Sequence, residues 1–288
     1  MTSSSNGLAR SALITSAIVL SSLKTGTMAE TVIFFGLSIA VATKLVYINL
    51  RWTSASGGSA FCAIARAPYH DKMKIQYLGH SSFKISTGPV TIVTDPFDPG
   101  RVGLPYPKIQ ADLVLSSHDH FDHRYLEAVT GDSFVVSAPG EYEFKGVKVR
   151  GFPTFHDDKG GAERGKNTVY LFEAEGLVLC HLGDLGHLLD EKVVKEFEDL
   201  DVLFVPVGGF YTIGPAEASK IVSQLDSKII IPMHYRVEGM AESFDELQPV
   251  MAFLGEMGIE QVEPKDELSL SSKSLPLEPE VVILKSVA

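Results

Sequence analysis

Leu113-Val114-Leu115-Ser116-Ser117-His118-Asp119-His120-Phe121-Asp122-His123 is an apolar run that stops in an H-x-H-x-D-H constellation. Side chains two apart on an extended strand end project to the same side, so His118 and His120 can close on one cation. The chain then turns and offers Asp122 and His123 to a second. Three imidazoles and a carboxylate this close together are what a two-zinc hydrolytic site needs. The competing reading is a solvated polar loop that holds histidines by accident.

A two-metal site needs more ligands than one loop supplies, and the sequence offers them at matching places. His156 ends the run Val147–Phe155 and opens a loop with Asp157, Asp158, Gly160 and Gly161. Asp184 lies just past Leu177-Val178-Leu179-Cys180-His181, and His234 follows Ile229-Ile230-Ile231-Pro232-Met233. Functional groups of open α/β sheets gather beyond the strand ends. Here four separate apolar runs each deliver a ligand type at that position.

With these residues the sequence resembles the metallo-β-lactamase superfamily of metal-dependent hydrolases, over about residues 73 to 265. The likeness is to the short branch that includes the ascorbate-6-phosphate lactonase type. Met73-Lys74-Ile75-Gln76-Tyr77-Leu78-Gly79-His80-Ser81-Ser82-Phe83 is similar to the opening strand and turn of that branch, and Thr94-Asp95-Pro96-Phe97 to its first motif. Residues 118 to 123 match the second motif, His156 the third, Asp184 the fourth and His234 in Pro-Met-His-Tyr the fifth. The resemblance implies a four-layer αβ/βα sandwich with metals at one edge between two sheets. It implies that His118, His120 and His156 hold one metal, that Asp122, His123 and His234 hold the other, and that Asp184 bridges them.

The chemistry follows from the ligand types. Two divalent cations about 3.5 to 4 Å apart share a water, lower its pKa and clamp the attacking and leaving oxygens. Zinc suits imidazoles and carboxylates, while manganese or iron fit the same donors. Asp95 is the candidate to orient a ligand imidazole, or else ordinary turn chemistry beside Pro96. His80, after Gly79, is expected at the mouth of the site, touching substrate or orienting a ligand. Asn167 either holds an oxyanion or serves as a turn residue, and His187 either contacts substrate or caps a loop. His181 reads as a hydrogen-bonded core histidine. Asp122 and Asp184 are the expected catalytic carboxylates.

Composition narrows the partners. Residues 1–72 carry six Lys/Arg against two Asp/Glu, which leaves 19 against 34, a net of −15, in residues 73–288. A nucleic-acid partner wants the opposite sign, so a small-molecule substrate is expected. Cys62 and Cys180 are too few for a disulfide framework, which agrees with a reducing compartment. Thr31 to Leu50 spans about 20 residues, the length one membrane helix needs. Lys44, Arg51 and Arg66 would then put the following domain in the cytoplasm. The extension 1–72 thus reads either as an anchor with a Ser/Gly linker at 54–59, or as the product of a start chosen upstream of Met73. Oligomeric state is not legible.

From residue 73 to 288 a single catalytic domain of class α/β is expected. Its strands fall near 74–79, 82–86, 90–94, 112–116, 133–137, 146–152, 168–174, 177–182, 202–207 and 228–232, with a final edge strand near 281–284. Ala218, Ile221, Val222 and Leu225 form a helical stripe after Pro215, and Phe244, Leu247, Met251 and Leu254 another. The expected activity is hydrolysis of an ester, lactone or phosphoester by a metal-bound hydroxide. The alternative is a non-hydrolytic di-iron sensor or redox protein on the same fold. Di-iron relatives carry Glu at the second His of the motif, where this chain has His120.

Overall fold

The computed structural model describes residues 72–287 apart from residue 198, together with strand segments 35–42, 45–53 and 59–63. Two compact units divide the chain, Met1–Tyr69 and His70–Ala288. In the first, Phe35–Ala42, Leu45–Thr53 and Ser59–Ala63 form an antiparallel sheet in that order. Phe35–Ala42 and the first part of Leu45–Thr53 fall within 31–50, the span read above as a possible anchor. Its β-branched and aromatic Ile39, Val41, Val46, Tyr47 and Ile48 favour extended backbone. Residues 31–34, 43 and 44 of that span lie outside the described residues, as does most of the linker at 54–59. No described helix is long and apolar enough to cross a membrane.

The second unit is built on two sheets. The six-stranded sheet runs Phe134–Val136, Leu113–Leu115, Thr91–Thr94, Ser82–Ser86, Met73–Gly79 and Leu268–Leu270. The seven-stranded sheet runs Gly140–Phe144, Val147–Phe155, Lys166–Ala174, Leu177–His181, Val202–Pro206, Ile229–Met233 and Glu280–Val281. Strands Leu177–His181, Val202–Pro206 and Ile229–Met233 are mutually parallel, so their carboxyl ends meet on one side. All ten expected strands form.

The inner faces of both sheets share one apolar core. Ile75, Phe83, Ile85, Ile92 and Leu113 of one meet Tyr170, Phe172, Leu179, Phe204 and Ile231 of the other. Phe83 and Phe204 pack with ring centroids 4.5 Å apart. On the outer face of the seven-stranded sheet, Leu171, Cys180, Leu203 and Val205 pack on Ala218, Ile221 and Leu225 of helix Pro215–Leu225 and on Phe253 and Leu254 of helix Val250–Glu256. Free Cys180 is fully buried there.

The four-layer expectation is met by an αβ sandwich with few helices. The outer face of the six-stranded sheet is covered by the 3₁₀ turn Leu126–Ala128 and a two-stranded ladder of Ile109–Gln110 with Val129–Thr130, while Val102 of the short helix Pro99–Val102 packs with Phe97, Met240, Phe244 and Leu247. The stripe from Phe244 to Leu254 is not one helix. Glu242–Phe244 is a 3₁₀ turn, Pro249 interrupts before Val250–Glu256, and Met251 is exposed.

Candidate metal centre

The donors arrive on short loops because the chain turns sharply where each strand stops. His80, Asp95 and His234 sit at positive φ (53°, 37° and 51°) immediately after Gly79, Thr94 and Met233. Left-handed backbone costs a non-glycine residue about 1 kcal/mol or more, and such strain persists only where surrounding contacts enforce it. They do: the Asp95 N–H donates to the Leu115 carbonyl at 2.9 Å, and the His234 N–H to the His80 carbonyl at 2.9 Å. The second bond and a 2.9 Å bond from the Thr168 N–H to the Ser117 carbonyl lace the two sheets together beside the donors.

All seven residues singled out from the sequence converge. Oδ2 of Asp184 lies 3.1 Å from Nε2 of His123, 3.1 Å from Nε2 of His156, 3.3 Å from Nε2 of His234 and 3.9 Å from Nε2 of His118. Nε2 of His118 is 2.9 Å from Nδ1 of His120. Nε2 of His123 is 3.6 Å from Oδ2 of Asp122. Donor atoms fall into three overlapping clusters: His118 with His120 and His156; His80 with Asp122, His123 and His234; and His118 with His123 and Asp184.

The chemistry of the donors fits a cation. Nδ1 of His123 is 2.9 Å from Oδ2 of Asp95, and Asp95 also accepts the Ser117 N–H and hydroxyl at 2.7 Å each. The Asp95 carboxylate is held below its ordinary range: burial opposes ionisation, and His123 more than offsets it. With Nδ1–H given to Asp95, Nε2 of His123 presents a lone pair to Asp184. Two acceptors 3.1 Å apart in a dry site repel unless a positive charge lies between them. Without a metal that charge is a proton. Burial pushes the His123 pKa down, but Asp184, Asp122 and Asp95 outweigh it and raise it well above 6.5. Nε2 of His123, Oδ1 of Asp184 and both ring nitrogens of His234 are buried without a hydrogen-bond partner among the described residues.

Surrounding residues hold the donors in place. Asn167 accepts the Asp184 N–H at 3.0 Å and donates to Thr154 Oγ1 and the Leu182 carbonyl. Both ends of its amide are thus engaged, and it positions Asp184 instead of meeting an oxyanion. His80 is fully buried, with Nε2 3.2 Å from Oδ2 of Asp122. It clusters with Asp122, His123 and His234 below the surface, not at the mouth, and does not line the cavity over the centre. His187 accepts the Phe155 N–H and meets the Leu188 carbonyl through Nδ1, so it pins the loop beside His156. His181 contacts the Ser81 carbonyl and accepts the Gly183 N–H, with its Nδ1 3.9 Å from Asp95.

Two contributors escaped the sequence reading. Ser117 links Asp95 to Nδ1 of His118 at 2.9 Å. Asp157 gathers the N–H groups of Lys159, Gly161, Glu163 and Arg164, which shapes the loop after His156 and depresses its own pKa. The Asp-x-x-Gly-Gly pattern was the available signal. Gly186 passes so close to the backbone of His156 and Asp157 that an added Cβ would collide with it.

Outer partners of this kind are typically worth about 10–100-fold in metal affinity or activity. Asp95→Asn is expected to lower metal affinity within that range while leaving the fold intact, as read by chelator competition beside circular dichroism. Unchanged affinity would remove Asp95 from its orienting role.

Above the donors opens a cavity of about 550 Å³, lined by His120, Asp122, His156 and Asp184 below and by Arg101, Arg164, Tyr211 and Phe244 around the rim. Its volume suits a small-molecule ligand.

A family model described as the β-lactamase superfamily domain matches residues 74–234. A UPF0173 metal-dependent hydrolase of Geobacillus thermodenitrificans is 32% identical over 193 residues, 57% of this chain and 85% of the relative. Among solved structures, a Thermotoga maritima protein assigned as a Zn-dependent hydrolase of the metallo-β-lactamase superfamily aligns at 42% identity with a TM-score of 0.61. The alignment covers 74% of this chain and 98% of that one. Igni18, a metallo hydrolase of Ignicoccus hospitalis, shares the fold at 20% identity and a TM-score of 0.54, covering 69% and 99%.

Proposed function

Because the chain belongs to the metallo-β-lactamase superfamily and is a metal-dependent hydrolase, we propose that its centre takes two divalent cations and cleaves an ester, lactone or phosphoester in a small molecule. His118, His120 and His156 would hold one cation, and Asp122, His123 and His234 the other. Asp184, within 3.9 Å of imidazoles from both groups, would serve both. The supporting observation is the convergence of the Nε2 atoms of His123, His156 and His234 within 3.3 Å of Asp184 Oδ2 in a buried site. Imidazole-rich donors favour zinc over harder cations, and manganese or iron fit the same set. Such a pair, when bound, supplies an acidified water for attack and positive charge for the departing oxygen.

The protein's own groups do the rest. Asp122 is almost wholly buried at the cavity floor, and the neighbouring His123 and His80 keep it ionised against the pull of burial. It is an anion throughout the neutral range, so Oδ2 offers a charged oxygen to a cation and accepts a hydrogen bond from a water or substrate beside it. Asn167 fixes the turn that aims Asp184. The lactone option draws on the resemblance to the lactonase branch, and the phosphoester option on the two-cation chemistry.

Metal analysis of the purified protein, paired with turnover of bis-p-nitrophenyl phosphate and of a small lactone, tests this reading. About two metal equivalents and chelator-sensitive turnover of one compound are expected. Bound iron with inertness toward both would favour the redox or sensor alternative.

A further inference from the structure

Arginines on this acidic domain are mostly neutralised by a carboxylate. Arg124 pairs with Asp119, Arg150 with Glu196 and Arg236 with Asp245. Of the five arginines in the described residues of the second unit, Arg101 and Arg164 lack an acidic partner, and both line the cavity over the donor cluster. They come from separate parts of the fold, Arg101 from the turn Pro99–Val102 and Arg164 from the loop after His156. The outer carboxylates at the same cavity are already engaged, Asp119 by Arg124 and Glu163 by Lys159.

Each guanidinium is held by an aromatic face. Cζ of Arg101 lies 3.5 Å from the centroid of Phe121, and Cζ of Arg164 lies 5.5 Å from Tyr211 and 5.9 Å from Phe210. Stacking of this kind immobilises the planar group through its π surface and leaves the in-plane N–H donors free, the geometry that matches an oxyanion bidentately. The backbone of Arg164 is fixed too, since its N–H donates to Asp157 at 2.7 Å in the loop that begins with His156. The domain from residue 73 onward has a net charge of −15, which repels anions at a distance. A substrate anion therefore needs cations at contact range, and the two arginines stand at the cavity.

We propose that the cavity selects small substrates bearing an anionic group, a phosphate or a carboxylate, apart from the bond that is cleaved, and that Arg101 and Arg164 grip that group. The proposal rests on the hydrolytic reading above and refines its substrate class.

The test uses the metal-loaded full chain and its R101Q, R164Q and R101Q/R164Q variants, each first checked for unchanged metal content and circular dichroism. Phenyl phosphate, benzoate and benzyl alcohol are titrated by calorimetry. Relative to benzyl alcohol, affinity for at least one of the two anions is expected to fall about tenfold or more in the double variant. Loss confined to phenyl phosphate assigns the pocket to phosphate, and loss confined to benzoate to carboxylate. Equal binding of both anions by wild type and double variant overturns the proposal. Kinetics with a neutral aryl ester and the same ester carrying the anion supply the second arm. The ratio of kcat/KM values, anionic over neutral, should drop at least about tenfold in the double variant. Metal-dependent turnover with an unchanged ratio overturns the anion pocket and leaves hydrolysis standing. Arginine-dependent anion binding without turnover of either ester supports the pocket and removes the hydrolytic reading.

Discussion

Asp184→Ala is expected to empty the centre and to lower hydrolysis by more than about a hundredfold. Outer-shell partners alone are worth 10–100-fold, and Asp184 approaches four imidazoles at once. The variant also leaves His123 Nε2, His156 Nε2 and His234 Nε2 around a vacated carboxylate site. The control is His181→Ala. Its ring spans the Ser81 carbonyl and the Gly183 N–H in the core, so its loss should cost stability more than metal. Metal content of the two variants by atomic absorption decides the matter. An emptied site in His181→Ala with full occupancy in Asp184→Ala would reverse the assignment.

Stripping metal from the folded protein is the second large effect. A ligand that binds only the native state at a free concentration a thousandfold above its Kd stabilises by about 4 kcal/mol per site. For a domain of this size that is a Tm change of about 10 °C or more. Scanning calorimetry with and without chelator reads it, and an unchanged Tm would mean that the donors hold no structural cation. Acid should weaken the stripped protein further. Burial first, then the neighbouring His234, lowers the His80 pKa from 6.5 to about 4 against the pull of Asp122. Between those pH values the unfolded chain binds a proton that the folded chain refuses. The contribution is therefore complete above pH 6.5 and lost as pH falls toward 4, up to about 3 kcal/mol. Burial shifts His118, His120 and His181 in the same sense, and His123 opposes them. The urea midpoint of metal-free His80→Gln should change less between pH 7.5 and 5 than that of the parent, and equal slopes would clear His80 of this role.

That the seven donor side chains gather was legible in the sequence, because four apolar runs each stop at a His or Asp and the family resemblance pairs the rest with them. The roles of Ser117 and Asn167 were not, since their partners come from distant parts of the chain: Ser117 bonds the Asp95 carboxylate, 22 positions away, and Asn167 receives the N–H of Asp184, 17 positions away. Asp157 acts locally, on the N–H groups of its own loop, where Asp-x-x-Gly-Gly was the signal. His80 was expected at the mouth on the family resemblance, whereas it is fully buried with Nε2 3.2 Å from Asp122. Strand Gly140–Phe144 went unnoticed for a physical reason. It is an edge strand alternating Glu141 and Glu143 with half-buried Tyr142 and Phe144, so little apolar surface marks it. Leu268–Leu270 is only 3 residues long, too short for a period to register. Helix Pro215–Leu225 was visible because its buried stripe has no interruption, and the later stripe failed where Pro249 breaks the run.

The last stretch of chain closes both sheets: Leu268–Leu270 pairs with Met73–Gly79, Glu280–Val281 pairs with Ile229–Met233, and the Val287 N–H reaches the Tyr77 carbonyl at 3.0 Å. A nascent polypeptide that has emerged through His234 already owns every donor, yet two flanks still present bare N–H and C=O groups. Those flanks are templates for a neighbouring nascent chain until translation delivers the closing segment. Residues 268–287 thus replace two long open edges by strands of only 3 and 2 residues, which offer a neighbouring chain far less to pair with.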